Sequence, residues 1–195
     1  MAEPLAVCLH AVDRAGPLLG RRVLIAGCGP IGALVIMAAK HAGASEIVAT
    51  DVQELGLTTA RKAGADRAIN VAGEPEALAA PTKEEGPFDV LFEASGNAVA
   101  LRNALDHLRP RGVVVQVGPG GDVSLPMNTI VTRELDIRGT FRFDAEFALA
   151  VELMGSGRID VKSLISASVP FRDALEAFSL ASDRSRAVKV QLTFA

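Results

Sequence analysis

Three glycines stand at G-x-G-x-x-G spacing in Gly27-Cys28-Gly29-Pro30-Ile31-Gly32. The apolar run Val23-Leu24-Ile25-Ala26 precedes them, and a second apolar run follows as far as Lys40. Each position answers a separate need of a bound phosphate ester. Gly27 permits a tight turn at a strand end, Gly29 lets backbone approach a pyrophosphate, and Gly32 lets a helix pack closely on a sheet. Pro30 presets φ for a first helical turn, and Ile31 continues it. The N–H groups and dipole of that helix end favour phosphate. Asp51 ends the next apolar stretch, Glu46-Ile47-Val48-Ala49-Thr50, and lies 19 residues beyond Gly32. A carboxylate there can accept both hydroxyls of an adenosine ribose and repel a 2′-phosphate. No Arg or Lys occurs between Asp51 and Arg61 to offset that repulsion. The spacing therefore predicts a dinucleotide site for NAD rather than NADP.

Two other readings compete. Glycine-rich turns occur without ligands, and Asp51 could merely cap a helix. A methyltransferase loop for S-adenosylmethionine also suits Gly-Cys-Gly. An acid is usual in the strand before such a loop, however, and Arg22-Val23-Leu24-Ile25-Ala26 has none.

The elements that must position these residues alternate along the chain. Helix is expected over 4–14, then a turn at Gly16-Pro17, the first strand and helix, and a stop at Gly43. Strand 46–50, helix 55–63 stopped by Gly64, strand 67–71 and a short helix from Glu74 to about Ala80 follow. Strand 88–93, helix 97–108, strand 113–117, a helical turn at 128–132 and strand 135–139 complete the series. Mostly apolar strands alternating with helices imply an α/β fold: a doubly wound, parallel, six-stranded Rossmann sheet. After Gly139 come a helix over 145–154, a strand over 164–167, a helix over 172–181 and a strand over 188–192. This tail reads as a separate unit, giving residues 1–140 (with leading helix 4–14) and 141–195.

Composition narrows the class. The 195 residues are 49% hydrophobic, enough for one core of ordinary size. A net charge of −3 gives no reason to expect nucleic acid or an anionic membrane as partner. Val23–Ala39 is uncharged but broken by Gly-Cys-Gly-Pro and short of the ~20 residues of a span. Early charges at Glu3, Asp13 and Arg14 argue against a signal peptide. Cys8 and Cys28 show neither metal nor disulfide spacing, which points to a reduced, cytoplasmic setting. Tyr and Trp are absent, which excludes the Tyr-dependent short-chain dehydrogenases.

Several segments resemble the zinc-dependent medium-chain dehydrogenases, most of all their sorbitol and L-idonate 5-dehydrogenase branch. They are Glu3-Pro4-Leu5-Ala6-Val7, the glycine turn, Phe92-Glu93-Ala94-Ser95-Gly96, Gly112–Gly118, Arg133–Arg142 and Gly157-Arg158-Ile159-Asp160. Phe141-Arg142-Phe143-Asp144 and Ser182-Asp183-Arg184-Ser185-Arg186 look most like the idonate enzymes. The resemblance covers essentially the whole chain.

By position, it implies further roles. Glu3 matches a glutamate at the catalytic zinc, and Arg142 an arginine lining the polyol site. Ala94, Ser95 and Gly96 match the loop beside the adenosine ribose. Val117 and Gly118 match a strand end at the nicotinamide half, and Phe141 a backbone contact to the carboxamide. The implied chemistry is hydride transfer between NAD and a secondary alcohol of a polyol or sugar acid, assisted by zinc. The family's principal zinc ligands lie in a preceding GroES-like catalytic domain, absent here. Residues 141–195 are then the C-terminal part of that domain. The chain alone is accordingly expected to bind NAD, to hold no zinc and not to turn over. Subunit pairing near Val123–Thr132 is implied, giving a homodimer or homotetramer. The contrasting reading is a stand-alone nucleotide-binding or interaction module. Each remaining candidate has a plainer explanation. Glu3 suits a first helical turn and His41 a last one. Arg142, His10 and His107 suit solvated surface, Cys28 is small enough for its loop, and Asp89 and Glu93 suit loop hydrogen bonds.

Overall fold

The computed structural model describes residues 1–78 and 86–194. Six parallel strands form one sheet: β1 (Arg22–Ala26), β2 (Glu46–Asp51), β3 (Arg67–Asn70), β4 (Phe88–Glu93), β5 (Leu108–Gln116) and β6 (Asp136–Gly139). Their order is β3-β2-β1-β4-β5-β6. The crossover helices are α2 (Pro30–His41) and α3 (Glu54–Ala63) on one side of the order reversal, and α4 (Ala98–Leu105) and α5 (Met127–Thr132) on the other. α1 (Ala2–Ala15) precedes the sheet, and α6 (Glu146–Gly155), β7 (Ile165–Pro170), α7 (Ala174–Ser182) and β8 (Lys189–Thr193) follow it. This is the expected α/β, doubly wound Rossmann-like sheet.

Alternation within the strands divides the core into two layers. Val23 and Ile25 of β1, Ile47 and Ala49 of β2, and Val90 and Phe92 of β4 pack beneath α1 and α2. Leu24, Val48, Leu91 and Val114 face the other way, onto Leu101 and Leu105 of α4. A strand buried on both faces reads as a continuous apolar run, as β1 does. Each fully buried Leu or Ile contributes roughly 2 kcal/mol.

Two segments depart from the sequence reading. α4 ends at Leu105, not Leu108, because β5 begins at Leu108, which pairs with Phe88. Pro110 and Gly112 disguise that start, and Arg111 between them takes φ +61° while the register shifts. The short helix expected from Glu74 is a 3₁₀ turn over Pro75–Leu78; the rest of that expectation, and the charged loop after it, lies outside the described residues.

The tail beyond Gly139 packs in two ways. Ala150 and Leu153 of α6, with Ile159, Val161 and Leu164, join the core layer of α1 and α2. His10 on α1 and Glu146 on α6 meet at 2.8 Å, so His10 fastens the two helices together rather than sitting free on the surface. Only β7 and β8 form a second, two-stranded parallel sheet. By packing, residues 146–164 thus share a core layer with α1 and α2. Beyond them α7 buries Ala177 and leaves Leu175 and Phe178 88% and 67% exposed. Among the described residues no helix is long and apolar enough to cross a membrane.

Candidate functional site: the carboxyl edge of the sheet

The strand order reverses between β1 and β4, and a crevice at such a point is where open α/β sheets take ligands. The ends of β1, β2, β4 and β5 converge there through backbone contacts. The Gly27 N–H donates to the Thr50 carbonyl at 2.8 Å, and the Ala94 N–H donates to the Ala26 carbonyl at 2.8 Å. The Val117 and Gly118 N–H groups both donate to the Glu93 carbonyl at 2.8 Å. The predicted residues Gly27, Gly29, Asp51, Ala94, Ser95, Gly96, Val117 and Gly118 thus gather at one edge, and Pro30, Ile31 and Gly32 form the first turn of α2.

The three glycines have distinct reasons to lack a side chain. Gly27 takes φ +96°, and a Cβ there would lie 2.7 Å from the Ser95 backbone nitrogen. At Gly32 a Cβ would lie 1.9 Å from the Gly27 carbonyl oxygen, so the tightest contact is with the loop itself rather than with the sheet. At Gly29 a Cβ would meet no protein atom within 4 Å. The protein therefore does not forbid a side chain at Gly29; the space it opens is free for a ligand. α2 starts beside that space with no side-chain cap and no acid in its first turn. Unpaired N–H groups facing open space suit a pyrophosphate.

Asp51 has a structural task in the same loop. Its Oδ2 accepts from the Cys28 N–H at 2.6 Å, and its Oδ1 accepts from the Val52 and Gln53 N–H groups at 2.7 and 2.9 Å. The carboxylate thereby ties the glycine turn to the start of α3. The buried Cys28 thiol donates to the Thr50 carbonyl at 3.4 Å, and burial, with the Asp51 charge second, pushes it up to about 12. Burial, with the Glu3 charge second, raises the Cys8 thiol further still. Cys8 donates to the Ile31 carbonyl, so neither sulfur is presented as a thiolate.

Glu93 is the most buried charged residue of this edge, at 0% exposure. Its carboxylate accepts from the Ser95 N–H at 2.9 Å, the Ser95 hydroxyl, the Gly96 N–H at 3.1 Å and the Gln116 side-chain amide at 2.6 Å. Gln116 also donates to the Gly118 carbonyl at 2.7 Å. Glu93 and Gln116 together therefore set the Ala94–Gly96 loop against the end of β5. The Glu–x–Ser–Gly run hints at this, but Gln116 had no signal of its own. Thr140 adds to the same edge. Its N–H donates to the Gln116 carbonyl at 3.3 Å, and its hydroxyl is buried without a partner.

The candidates from the polyol side are not assembled. Glu3 lies exposed in the first turn of α1. Phe141 is 79% exposed, and the Arg142 guanidinium lies over its ring at 5.2 Å. Arg142 takes φ +55°, an uncommon region for a residue with a side chain. Among the described residues no ion pair joins Glu3 to Arg142, and no cluster of three His, Cys, Asp or Glu could hold a metal. The described residues thus do not fit a zinc site, which needs three or four converging donors.

The family model for zinc-binding dehydrogenases matches residues 30–156. The chain belongs to the zinc-binding dehydrogenase family.

This zinc-binding dehydrogenase chain is 44% identical to L-idonate 5-dehydrogenase (NAD(P)(+)) of Escherichia coli K12, over 99% of its own length and 56% of the relative's. It is 37% identical to the sorbitol dehydrogenase of Gallus gallus, over 98% and 55% respectively. The crystal structure of the E. coli L-idonate 5-dehydrogenase superposes with a TM-score of 0.93, covering 99% of this chain and 56% of that one. A protein of Sinorhizobium meliloti solved bound to NADP superposes with a TM-score of 0.86 at 29% identity, covering 98% and 57%. The chain therefore spans about half the length of the relatives it matches.

Proposed function

We propose that this chain is the NAD-binding portion of an oxidoreductase that moves a hydride between NAD and a secondary alcohol of a polyol or sugar acid. The observation that carries the reading is Gly29: an open space at the sheet's order reversal, free of protein, beside an uncapped helix start. NAD, when bound, supplies the hydride acceptor at its nicotinamide ring. Ile31 and Gly32 face its pyrophosphate with backbone N–H groups, and Pro30 presets that turn. Gly27 allows the turn its sharp path. Asp51 holds the loop closed and offers its remaining acceptor capacity to the adenosine ribose. Glu93 locks Ala94, Ser95 and Gly96 in register, so that this loop borders the ribose. Val117, Gly118 and the Phe141 backbone border the nicotinamide half. Glu3 and Arg142 take substrate-side roles in the complete enzyme, with Glu3 near the metal. No step is assigned to a metal held by this chain, because the described residues do not fit one.

The E. coli relative is named for L-idonate and the chicken relative for sorbitol, and these similarities support a polyol or sugar-acid substrate. A second reading, a nucleotide-binding or interaction module without catalysis, is favoured by the absence of a metal donor set among the described residues. Calorimetric titration with NADH, with S-adenosylmethionine as control, separates these readings from the methyltransferase alternative. Saturable NADH binding supports the proposal, and S-adenosylmethionine binding in its place sinks it. NAD with added zinc and idonate or sorbitol should yield no NADH from the chain alone; robust turnover would contradict the assigned division of labour. Subunits are proposed to pair through the β6 edge, where Met127, Val131 and Ile137 are exposed.

A further inference from the structure

A cleft of about 540 Å³ lies between Gln53 and the end of α7, where Ser182, Asp183, Arg184, Ser185 and Arg186 line it. Gln53 follows Asp51 by two residues, and its N–H shares the Asp51 Oδ1 with that of Val52. Asp51 does not itself line the cleft, but Gln53 joins the cleft to the loop held by the carboxylate assigned to the adenosine ribose. The charges around it are unevenly committed. Asp51 is held by three backbone N–H groups. Asp183 accepts from the Ser185 N–H at 3.0 Å and the Ser185 hydroxyl at 2.6 Å. Arg61, the nearest cation along the sequence, is occupied by Glu54 at 3.3 Å and the Ala68 carbonyl at 3.2 Å. Arg184 and Arg186 differ from it. Both line the cleft exposed, and among the described residues neither guanidinium makes a hydrogen bond or a close ion pair, although the Arg186 charge, after the Ser185 hydrogen bonds, helps to hold the Asp183 carboxyl down.

Two guanidinium groups with all their N–H donors free of hydrogen bonds, in a cleft bordering the loop after Asp51, suit one chemistry, a phosphate monoester, which they can grip with paired N–H donors. We propose that Arg184 and Arg186 bind the 2′-phosphate of NADP(H), so that the site assigned above to NAD also accepts the phosphorylated cofactor. The inference rests on that cofactor reading and specifies one of its edges. It also qualifies the expectation that Asp51 excludes NADP. That expectation counted only cations close to Asp51 in sequence, whereas these two are delivered from the far end of the chain.

The test is calorimetric titration of the full 195-residue chain with NADH and NADPH, at low and high salt. Both nucleotides should bind, with NADPH losing more affinity in high salt. The double variant Arg184→Ala/Arg186→Ala should weaken NADPH by about tenfold or more and NADH by less than about twofold. The double lysine variant should restore part of the loss, because charge is kept and the planar fork is not. Equal weakening of both nucleotides, or of neither, overturns the inference. Saturable NADH binding without NADPH binding overturns it too, while leaving the cofactor reading in place. Failure of the unmodified chain to bind either nucleotide overturns both.

Discussion

Two glycines three residues apart, Gly29 and Gly32, should respond to the same substitution in opposite ways. Gly32→Ala adds a methyl inside α2, which by helix propensity alone would stabilise the chain by about 1 kcal/mol. That methyl would sit 1.9 Å from the Gly27 carbonyl oxygen, where nothing under 3.0 Å is tolerated. Gly27 must then retreat by more than about 1 Å, a disruption that costs about 1–3 kcal/mol by overpacking. Gly27 has little room to do so, since it is pressed against Ser95 and its N–H is committed to Thr50 at 2.8 Å. Losing that hydrogen bond costs about 1 kcal/mol more. The balance is a destabilisation of about 1–3 kcal/mol, or about 3–10 °C in melting temperature for a chain of this size. Gly29→Ala meets no protein atom and keeps an accessible backbone, φ −66° and ψ −172°. It forfeits only the preference for Gly over Ala at a helix N-cap, about 0.5–1 kcal/mol. Its methyl does enter the space assigned to the pyrophosphate, so NADH affinity should fall by about tenfold or more, equivalent to about 1.4 kcal/mol. Far-UV circular dichroism melts measure the first quantity. NADH fluorescence measures the second, against little protein background in a chain without Trp or Tyr. If Gly29→Ala binds NADH as the unmodified chain does, the free space there is not the pyrophosphate site. If Gly32→Ala melts unchanged, the loop contact is not limiting.

Three further outcomes follow from the same geometry. Glu93→Gln replaces a carboxylate oxygen with an amide donor facing the Gly96 N–H and the Gln116 amide, so it should cost about 2–3 kcal/mol in a denaturant titration and weaken NADH binding as well; unchanged stability would remove Glu93 from its positioning role. Burial raises Asp89, but the Arg22 N–H and the Arg109 and Arg21 guanidinium groups outweigh it and hold its carboxyl below the ordinary carboxylate range. The contribution of Asp89 is therefore fully present above the unfolded value of about 4 and is lost as pH falls toward its lower folded value, so Asp89→Asn should flatten the acid limb of a stability–pH curve; an unaltered acid limb would refute this. Cys8 and Cys28 should resist an aromatic disulfide reagent at pH 8 in the native chain and react together once it is unfolded, because burial raises both thiols; rapid native reaction of either would contradict the packing.

How much of this was legible in the sequence depends on the range of the forces involved. Strand positions such as Val23–Ala26 and helix stops such as Gly43 and Gly64 are local matters of periodicity and backbone freedom, and the structure places them as expected. The start of β5 was hidden because Pro110 and Gly112 signal a turn, whereas the pairing of Leu108 with Phe88 overrides them. Asp51 was legible as an acid at a strand end. Its three N–H partners were not, since Cys28 reaches it only through the fold. Gln116, Thr140 and the Arg184–Arg186 pair lie in segments that carry the family resemblance, but none has a role readable from its own position; each acquires meaning from a neighbour distant in sequence.

The tail shows why composition alone misleads about burial. Leu175, Phe178 and Leu180 in α7, and Phe171 and Phe194 around it, have the spacing of a helix and flanks with an apolar face to hide. The first two are exposed, and Phe171 and Phe194 stack on each other at 5.0 Å while remaining 58% and 79% exposed. α6 carries a comparable apolar load, yet Ala150 and Leu153 are buried because α1 lies against them. The difference between the two helices is therefore a partner and not a pattern. The loop that presents Arg184 and Arg186 descends from α7 on this less supported part of the chain, whereas Gln53 is anchored to the main sheet through Asp51. A phosphate bridging the two would tie the second sheet to the first. Binding of NADPH, more than of NADH, should then slow hydrogen exchange in α7 and β8. Equal protection by both nucleotides would show that the extra phosphate does not reach that loop.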